Sequence, residues 1–322
     1  MFLGLDVAKR DFHAALLDGK ERPRVKAFPN NPKGFEQLFA WLANRSIQNV
    51  HACLEATGGW SEALATELYR RGHRVSLVNP QRVRDFGRSE GQRTKTDKAD
   101  AALIARFCSM HDPAPWSPPR AELLALQAFV RRRESLIDMR TQERNRLSGP
   151  ITDELVRKSI HDHLAFLDVQ IADIEKQIDD LIDNDTDLRN QRDLIKSIPG
   201  LGHRSASSIT AEFPELAKYR DAKAVAAHAG LCPAIEQSGT SLARSHLSRS
   251  GSSKLRRLLY FPAIVAMKHN PAIASFAGRL QSRDKQKMVI VAAAMRKLLV
   301  LAYGVVKSGR PFDASLTTQH GI

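Results

Sequence analysis

Four carboxylates in the first hundred residues have the types and spacing for chemistry on a phosphodiester. Asp6 lies in FLGLDVAK, Glu55 in HACLEATGGW, and Asp97 and Asp100 in RTKTDKADAALIARF. Asp6 and Glu55 each stand at or just after a short apolar run of strand character, Phe2–Leu5 and Val50–Leu54. Asp97 and Asp100, three residues apart at the start of an apolar-periodic segment, share one helix face. Hard oxygen ligands that converge select Mg²⁺ or Mn²⁺. Two such ions clamp the attacking and leaving oxygens of a phosphodiester. Taken singly, acids at strand ends and helix starts are ordinary, because a helix N-terminus favours negative charge. The combination, with Arg93, Lys95 and Lys98 interleaved, sets these four apart.

A second group lies far along the chain. From Gly239 to Arg310 there are fourteen Lys or Arg and one acid, Asp284, so this segment carries nearly all of the formal charge of +14. So one-sided a charge is the footprint that phosphate binding requires, and it points to a polyanionic partner. Arg244 and Arg249 precede a long apolar helix opened by Lys254, Arg256 and Arg257, a cluster suited to backbone-positioning contacts. Ser238, in a QSG turn at the edge of this region, is a nucleophile only if something activates it. Loop serines are mostly solvated caps, and no His or Asp stands beside this one in sequence.

The elements that must position these groups follow from periodicity. Residues 2–8, 12–17 and 24–28 read as short strands joined by tight turns. A helix over 32–45, a strand over 49–54, a helix over 61–71 closed by Gly72, and a strand over 73–78 follow, giving a mixed α/β sheet. The proline-rich stretch 112–119 reads as a boundary, beyond which the pattern is helical. Ile160, Leu164, Leu167, Ile171, Ile174, Ile178 and Leu181 form a heptad seam. It suits either a dimeric coiled coil or packing against Leu123, Leu126 and Val130 of the same chain. In LIKSIPGLGHRSASSITAEF, residues 194–213, two helices meet at Ile198–Gly202 in a helix-hairpin-helix pattern. Gly200 and Gly202 there would let backbone N–H groups approach a phosphate.

Composition removes other classes. Cys53, Cys108 and Cys232 are scattered with no CxxC pair, which leaves zinc and a disulfide framework unsupported and suits a reduced, cytoplasmic setting. No signal-like start is present. The most apolar run, 289–306, is interrupted by Arg296 and Lys297, so the expectation is a buried helix and no membrane partner.

The motifs GLDVAK, LEATGGW, RTKTDKADA, SIPGLG and AGLCPAIEQSG…SRSGSSKLRRLLY, in this order and spanning nearly the whole chain, resemble those of the DEDD transposases of the insertion-sequence "one-ten" family, relatives of Piv-type DNA invertases. The resemblance implies a ribonuclease H-like (RuvC-like) catalytic domain over 1–115, a helical coiled-coil segment over 116–190, and over 191–322 a mostly helical transposase domain containing the helix-hairpin-helix. It implies that Asp6, Glu55, Asp97 and Asp100 bind Mg²⁺. It implies that Ser238 joins covalently to DNA, and that a bridge RNA pairs with donor and target DNA. It further implies a homo-oligomer, a dimer or tetramer, in which one subunit's acids complete a site with another's serine. Two other readings fit the same residues: a RuvC-like nuclease or junction resolvase that uses water, and a non-catalytic architectural DNA-binding protein.

Overall fold

The computed structural model describes residues 1–19, 22–56, 59–91, 96–150, 153–236, 244–248 and 251–315, with the backbone alone at 234–236 and 244–246. The chain forms two compact units, Met1–Pro119 and Arg120–Ile322.

The first unit is built on a sheet of five strands, β1 (Phe2–Val7), β2 (Asp11–Leu17), β3 (Arg24–Pro29), β4 (His51–Glu55) and β5 (Arg74–Val78), in the order β3-β2-β1-β4-β5. The first three make an antiparallel meander, while β4 pairs parallel to β1 and β5 parallel to β4. Side chains alternate across the sheet. Leu3, Leu5, Phe12, Ala14 and Leu54 face one side, where helices α1 (Pro32–Ala43) and α2 (Gly59–Arg70) bury Leu38, Leu42, Leu64 and Leu68 against them. Asn31 starts α1 by accepting the Gly34 N–H at 2.9 Å, with Pro32 in the first turn.

The other side is covered by α3 (Pro80–Ser89) and α4 (Asp97–His111), through Cys53, Val78, Val83, Phe86, Leu103, Ile104 and Phe107. Here Gly4 decides the packing. A Cβ at Gly4 would stand 2.2 Å from the Ala101 carbonyl oxygen and 2.2 Å from the Ala105 nitrogen, so α4 lies with its backbone directly on β1. The proline-rich stretch is laid along the sheet edge: Trp116 N–H donates to the Val75 carbonyl at 2.7 Å, and the Ser76 hydroxyl reaches the Pro113 and Ala114 carbonyls. The unit closes at Pro119.

Among its described residues the second unit is helical apart from one hairpin. Helices α5 (Ala121–Leu147) and α6 (Glu154–Asp183) pair antiparallel. Leu123, Leu126 and Val130 meet Ile178 and Ile182, and Leu136 meets Leu167 and Ile171. The middle and C-terminal stretch of the seam is therefore covered within the chain. On the outward side of α6, Leu155, Phe166 and Val169 remain exposed. Then follow α7 (Thr186–Lys196), α8 (His203–Glu212), α9 (Ala222–His228), strands β6 (Pro233–Glu236) and β7 (Arg244–Leu247), and helices α10 (Ser253–His269), α11 (Pro271–Gln281) and α12 (Lys287–Ser308). Among the described residues only α12 is long and apolar enough to cross a membrane by length and composition. Its Val291, Ala294, Leu298, Leu299 and Ala302 join Leu255, Leu259 and Ile195 in the unit's core, the buried helix that periodicity suggested.

Candidate active site and nucleic-acid interface

The sheet register brings the two strand carboxylates together. Leu5 stands opposite Leu54 in the β1–β4 pair, so the next residues along, Asp6 and Glu55, emerge side by side on adjacent strands. Strand spacing is about 4.8 Å. Asp6 shares a face with Gly4, and Glu55 shares it with Cys53, the face on which α4 lies. Asp97 and Asp100 occupy the first turn of α4, just before the residues that sit on Gly4. Thr96 caps this helix, its hydroxyl accepting the Ala99 N–H at 3.2 Å. The strand acids thus project from the sheet face on which α4 lies, and the helix acids from the first turn of α4 itself, the positive end of that helix. Asp6, Glu55 and Asp100 are half-buried and Asp97 is exposed.

His13 is a member of this group that sequence reasoning missed. The β1–β2 register pairs it with Asp6, and its Nδ1 lies 4.0 Å from Asp97 Oδ2. Only the hairpin register could have revealed it, because His13 is distant from the TDKAD segment in sequence. Among the described residues no three His, Cys, Asp or Glu side chains are gathered closely enough to form a finished metal centre. What the fold supplies is a set of hard carboxylate oxygens on one face, the donor chemistry that suits Mg²⁺ or Mn²⁺. Arg93 and Lys95 lie outside the described residues.

In the second unit, Ser238 and Arg249 also lie outside the described residues. Ser238 belongs to the connection between β6 and β7, whose antiparallel register places Glu236 opposite Arg244. This hairpin was not legible in the Gly- and Ser-punctuated sequence. The Ile198–Gly202 turn does join two helices, α7 and α8. Gly200 adopts φ +103°, and a Cβ there would lie 2.5 Å from the Ala266 Cβ, so this glycine is needed for the approach of α10. Gly202 is the exposed N-cap of α8, with open space where a Cβ would stand. Asn270, fully buried, locks the turn by donating to the Pro199 carbonyl at 3.2 Å.

The basic cluster at the head of α10 divides in two. Arg256 is turned inward, its guanidinium donating to the Gly251 and Ala229 carbonyls at 3.0 and 3.4 Å. Lys254 and Arg257 are exposed. Arg257 pairs at 3.1 Å with Asp138, a surface contact of little energetic weight. Lys254 and Arg257 border a cavity of about 230 Å³, walled opposite by Arg131 and Glu134 of α5 and Ser208 and Glu212 of α8.

Both regions fall within recognisable sequence families. Residues 3–153 match the family model of DEDD transposases of the IS110 type, and residues 192–277 match that of the transposase IS116/IS110/IS902 family. The chain belongs to the IS110/IS116 transposase family. The first match contains all four acids, and the second contains the Ile198–Gly202 turn, Ser238 and α10. This transposase-family chain is 33% identical over 316 residues to the pilin gene-inverting protein of Moraxella bovis, covering 97% of each chain. The pilin gene-inverting protein of Moraxella lacunata is equally similar. The transposase for insertion sequence element IS1328 of Yersinia enterocolitica is 25% identical over 348 residues, covering 97% of this chain and 98% of that one.

The structure also joins two cysteines that looked unrelated in sequence. Cys53 of β4 and Cys108 of α4 are fully buried beneath the Glu55 strand end. The neighbouring Cys108 thiol and burial push the Cys53 thiol up, and the Cys108 thiol donates to the His51 carbonyl at 3.6 Å.

Proposed function

We propose that this member of the IS110/IS116 transposases is a DNA recombinase that cuts and rejoins strands through a serine–DNA ester at Ser238, in a reaction dependent on Mg²⁺ or Mn²⁺. The observation that carries this reading is the register that sets Asp6 beside Glu55 on the face where the first turn of α4 carries Asp97 and Asp100. The first unit is then ribonuclease H-like, its meander and parallel pair building a platform for carboxylates. When bound, the divalent ions polarise the scissile phosphate and lower the pKa of the attacking hydroxyl. Asp6, Glu55, Asp97 and Asp100 hold them, and His13 fixes the Asp97 carboxylate. The Ser238 oxygen forms a bond to phosphorus while the bond from phosphorus to a deoxyribose oxygen breaks. The proton lost by the serine ends on the departing sugar hydroxyl. One phosphate ester replaces another, so rejoining needs no external energy source.

Lys254, Arg257, Arg244, Arg249 and the exposed α8 N-terminus at Gly202 contact DNA phosphates. Arg93 and Lys95 do so beside the acids. Gly200 and Arg256 shape the surface from within. A bridge RNA chooses donor and target, and the chain acts in the cytoplasm as a dimer or tetramer. The exposed Leu155, Phe166 and Val169 of α6 support self-association.

The test is a recombination reporter with Asp6→Asn, Asp100→Asn and Ser238→Ala. Each abolishes recombination, and full activity in any one overturns the assignment. Trapping a covalent protein–DNA adduct that disappears in Ser238→Ala separates this mechanism from hydrolysis by water. A wild-type protein that cleaves without an adduct is a RuvC-like nuclease instead. Sequencing the RNA that co-purifies tests guidance, and random cellular RNA refutes it.

A further inference from the structure

The outer face of α10 carries an apolar centre between cations. Leu255, Leu259, Ala263 and Ala266 point into the core. On the opposite side Lys254, Arg257, Phe261, Val265 and Lys268 recur at helical spacing and are all exposed. Phe261 is 73% exposed and Val265 46%. The stripe runs about 21 Å at 1.5 Å per residue. The Phe261 ring is braced edge-on by Tyr260, 5.3 Å between centroids. Among the described residues Lys254 and Lys268 enter no ion pair, and Arg257 has only the solvent-exposed Asp138.

We propose that this face of α10 is a platform for single-stranded nucleic acid. One unpaired base stacks on Phe261 beside Val265, while Lys254, Arg257 and Lys268 follow the backbone. The inference rests on the reading of α10 as a phosphate-binding helix and adds what its apolar centre takes. Charge selects the class of occupant. The segment holding α10 has fourteen cations against one acid, so a second copy of the same face is repelled. An aromatic ring flanked by cations meets both features of an unpaired nucleotide, the base face and the phosphate. In a duplex the base faces are already stacked, which leaves Phe261 without its partner.

The experiment measures binding of the full-length protein to labelled mixed-sequence oligonucleotides, as single-stranded RNA, single-stranded DNA and duplex, over a salt series. Phe261→Ala weakens single-strand binding about tenfold, as loss of one base–aromatic stack does. It leaves duplex binding and the salt slope unchanged. Phe261→Trp keeps the affinity, and its fluorescence is quenched by the single strand. The double variant Lys254→Glu/Lys268→Glu weakens binding to every oligonucleotide and flattens the salt slope. If the charge variant loses affinity while Phe261→Ala does not, the platform is wrong and the basic helix stands. If neither loses affinity, both are wrong. If Phe261→Ala instead converts an oligomer to monomer in sedimentation with affinity unchanged, the face belongs to a second copy and the proposal fails. The exposure of Phe261 makes a folding defect in Phe261→Ala an unexpected result, checked by its unfolding midpoint.

Discussion

Gly4→Ala probes the site through its foundation. The new Cβ would arrive 2.2 Å from two backbone atoms of α4, the Ala101 oxygen and the Ala105 nitrogen, and 2.8 Å from the Ala105 Cα. Ordinary contact begins near 3.4 Å, so α4 must withdraw from β1 by about 1.2 Å. The clashing atoms are backbone, so no rotamer change relieves them. Overpacking of this kind costs about 1–3 kcal/mol. The larger consequence falls on geometry. Asp97 and Asp100 ride on α4, whereas Asp6 and Glu55 stay with the sheet. A displacement of about 1 Å between catalytic groups costs on the order of 10²-fold in rate. Gly59→Ala, where an added Cβ meets nothing within 4 Å, is the control and leaves both quantities nearly unchanged. Urea unfolding and strand cleavage on a plasmid carrying the target provide the readouts. A Gly4→Ala protein with full cleavage and wild-type stability would refute the claim that the seat of α4 positions the acids.

Three further perturbations test other parts of the structure. His73, buried and stacked on Phe39, has its pKa lowered from 6.5, first by burial and then by the nearby Arg71 charge. It stays neutral when folded while the unfolded chain takes up a proton, so its contribution is intact above about pH 6.5 and is lost as pH falls from there towards the folded value; His73→Gln removes that part of the slope in pH-dependent unfolding. Arg133 of α5, 1% exposed, donates to Ser208 and Glu134, and Arg133→Ala is expected to cost about 3 kcal/mol in denaturant unfolding. The neighbouring, exposed Arg132→Ala should stay within about 0.5 kcal/mol. Asn270→Ala removes the cap of α11, where its side chain accepts the Ala272 and Ile273 N–H groups, and strands the Pro199 carbonyl. A loss of about 2–4 kcal/mol follows, read by urea unfolding.

Much of the architecture is written locally. The alternation of Leu3, Leu5 and Val7 determined a strand, and Asp6 fell on the opposite face for the same reason. Apolar spacing over 32–45 and after Asp97 predicted α1 and α4, and the same signal gave the long helices. The charge map and the motif order placed the chain in its family without coordinates. The sequence pattern showed no helix over α3, because its surface is largely polar and only Val83, Phe86 and Gly87 are buried.

Tertiary structure decided what local pattern cannot carry. A heptad seam is the same sequence whether it meets another subunit or its own chain, and here the turn after Leu147 folds α5 back onto α6. Whether a cationic side chain reaches solvent depends on its packing, so Arg256 turned inward while Lys254 and Arg257 did not. Sheet register, a long-range property, put His13 against Asp6 and Glu55 beside Asp6, and the docking of α4 on the sheet packed Cys108 against Cys53. The sequence by itself determined which groups could do the chemistry; the pairing of distant strands and the bare backbone of Gly4 decided that the strand acids and the helix acids share one face.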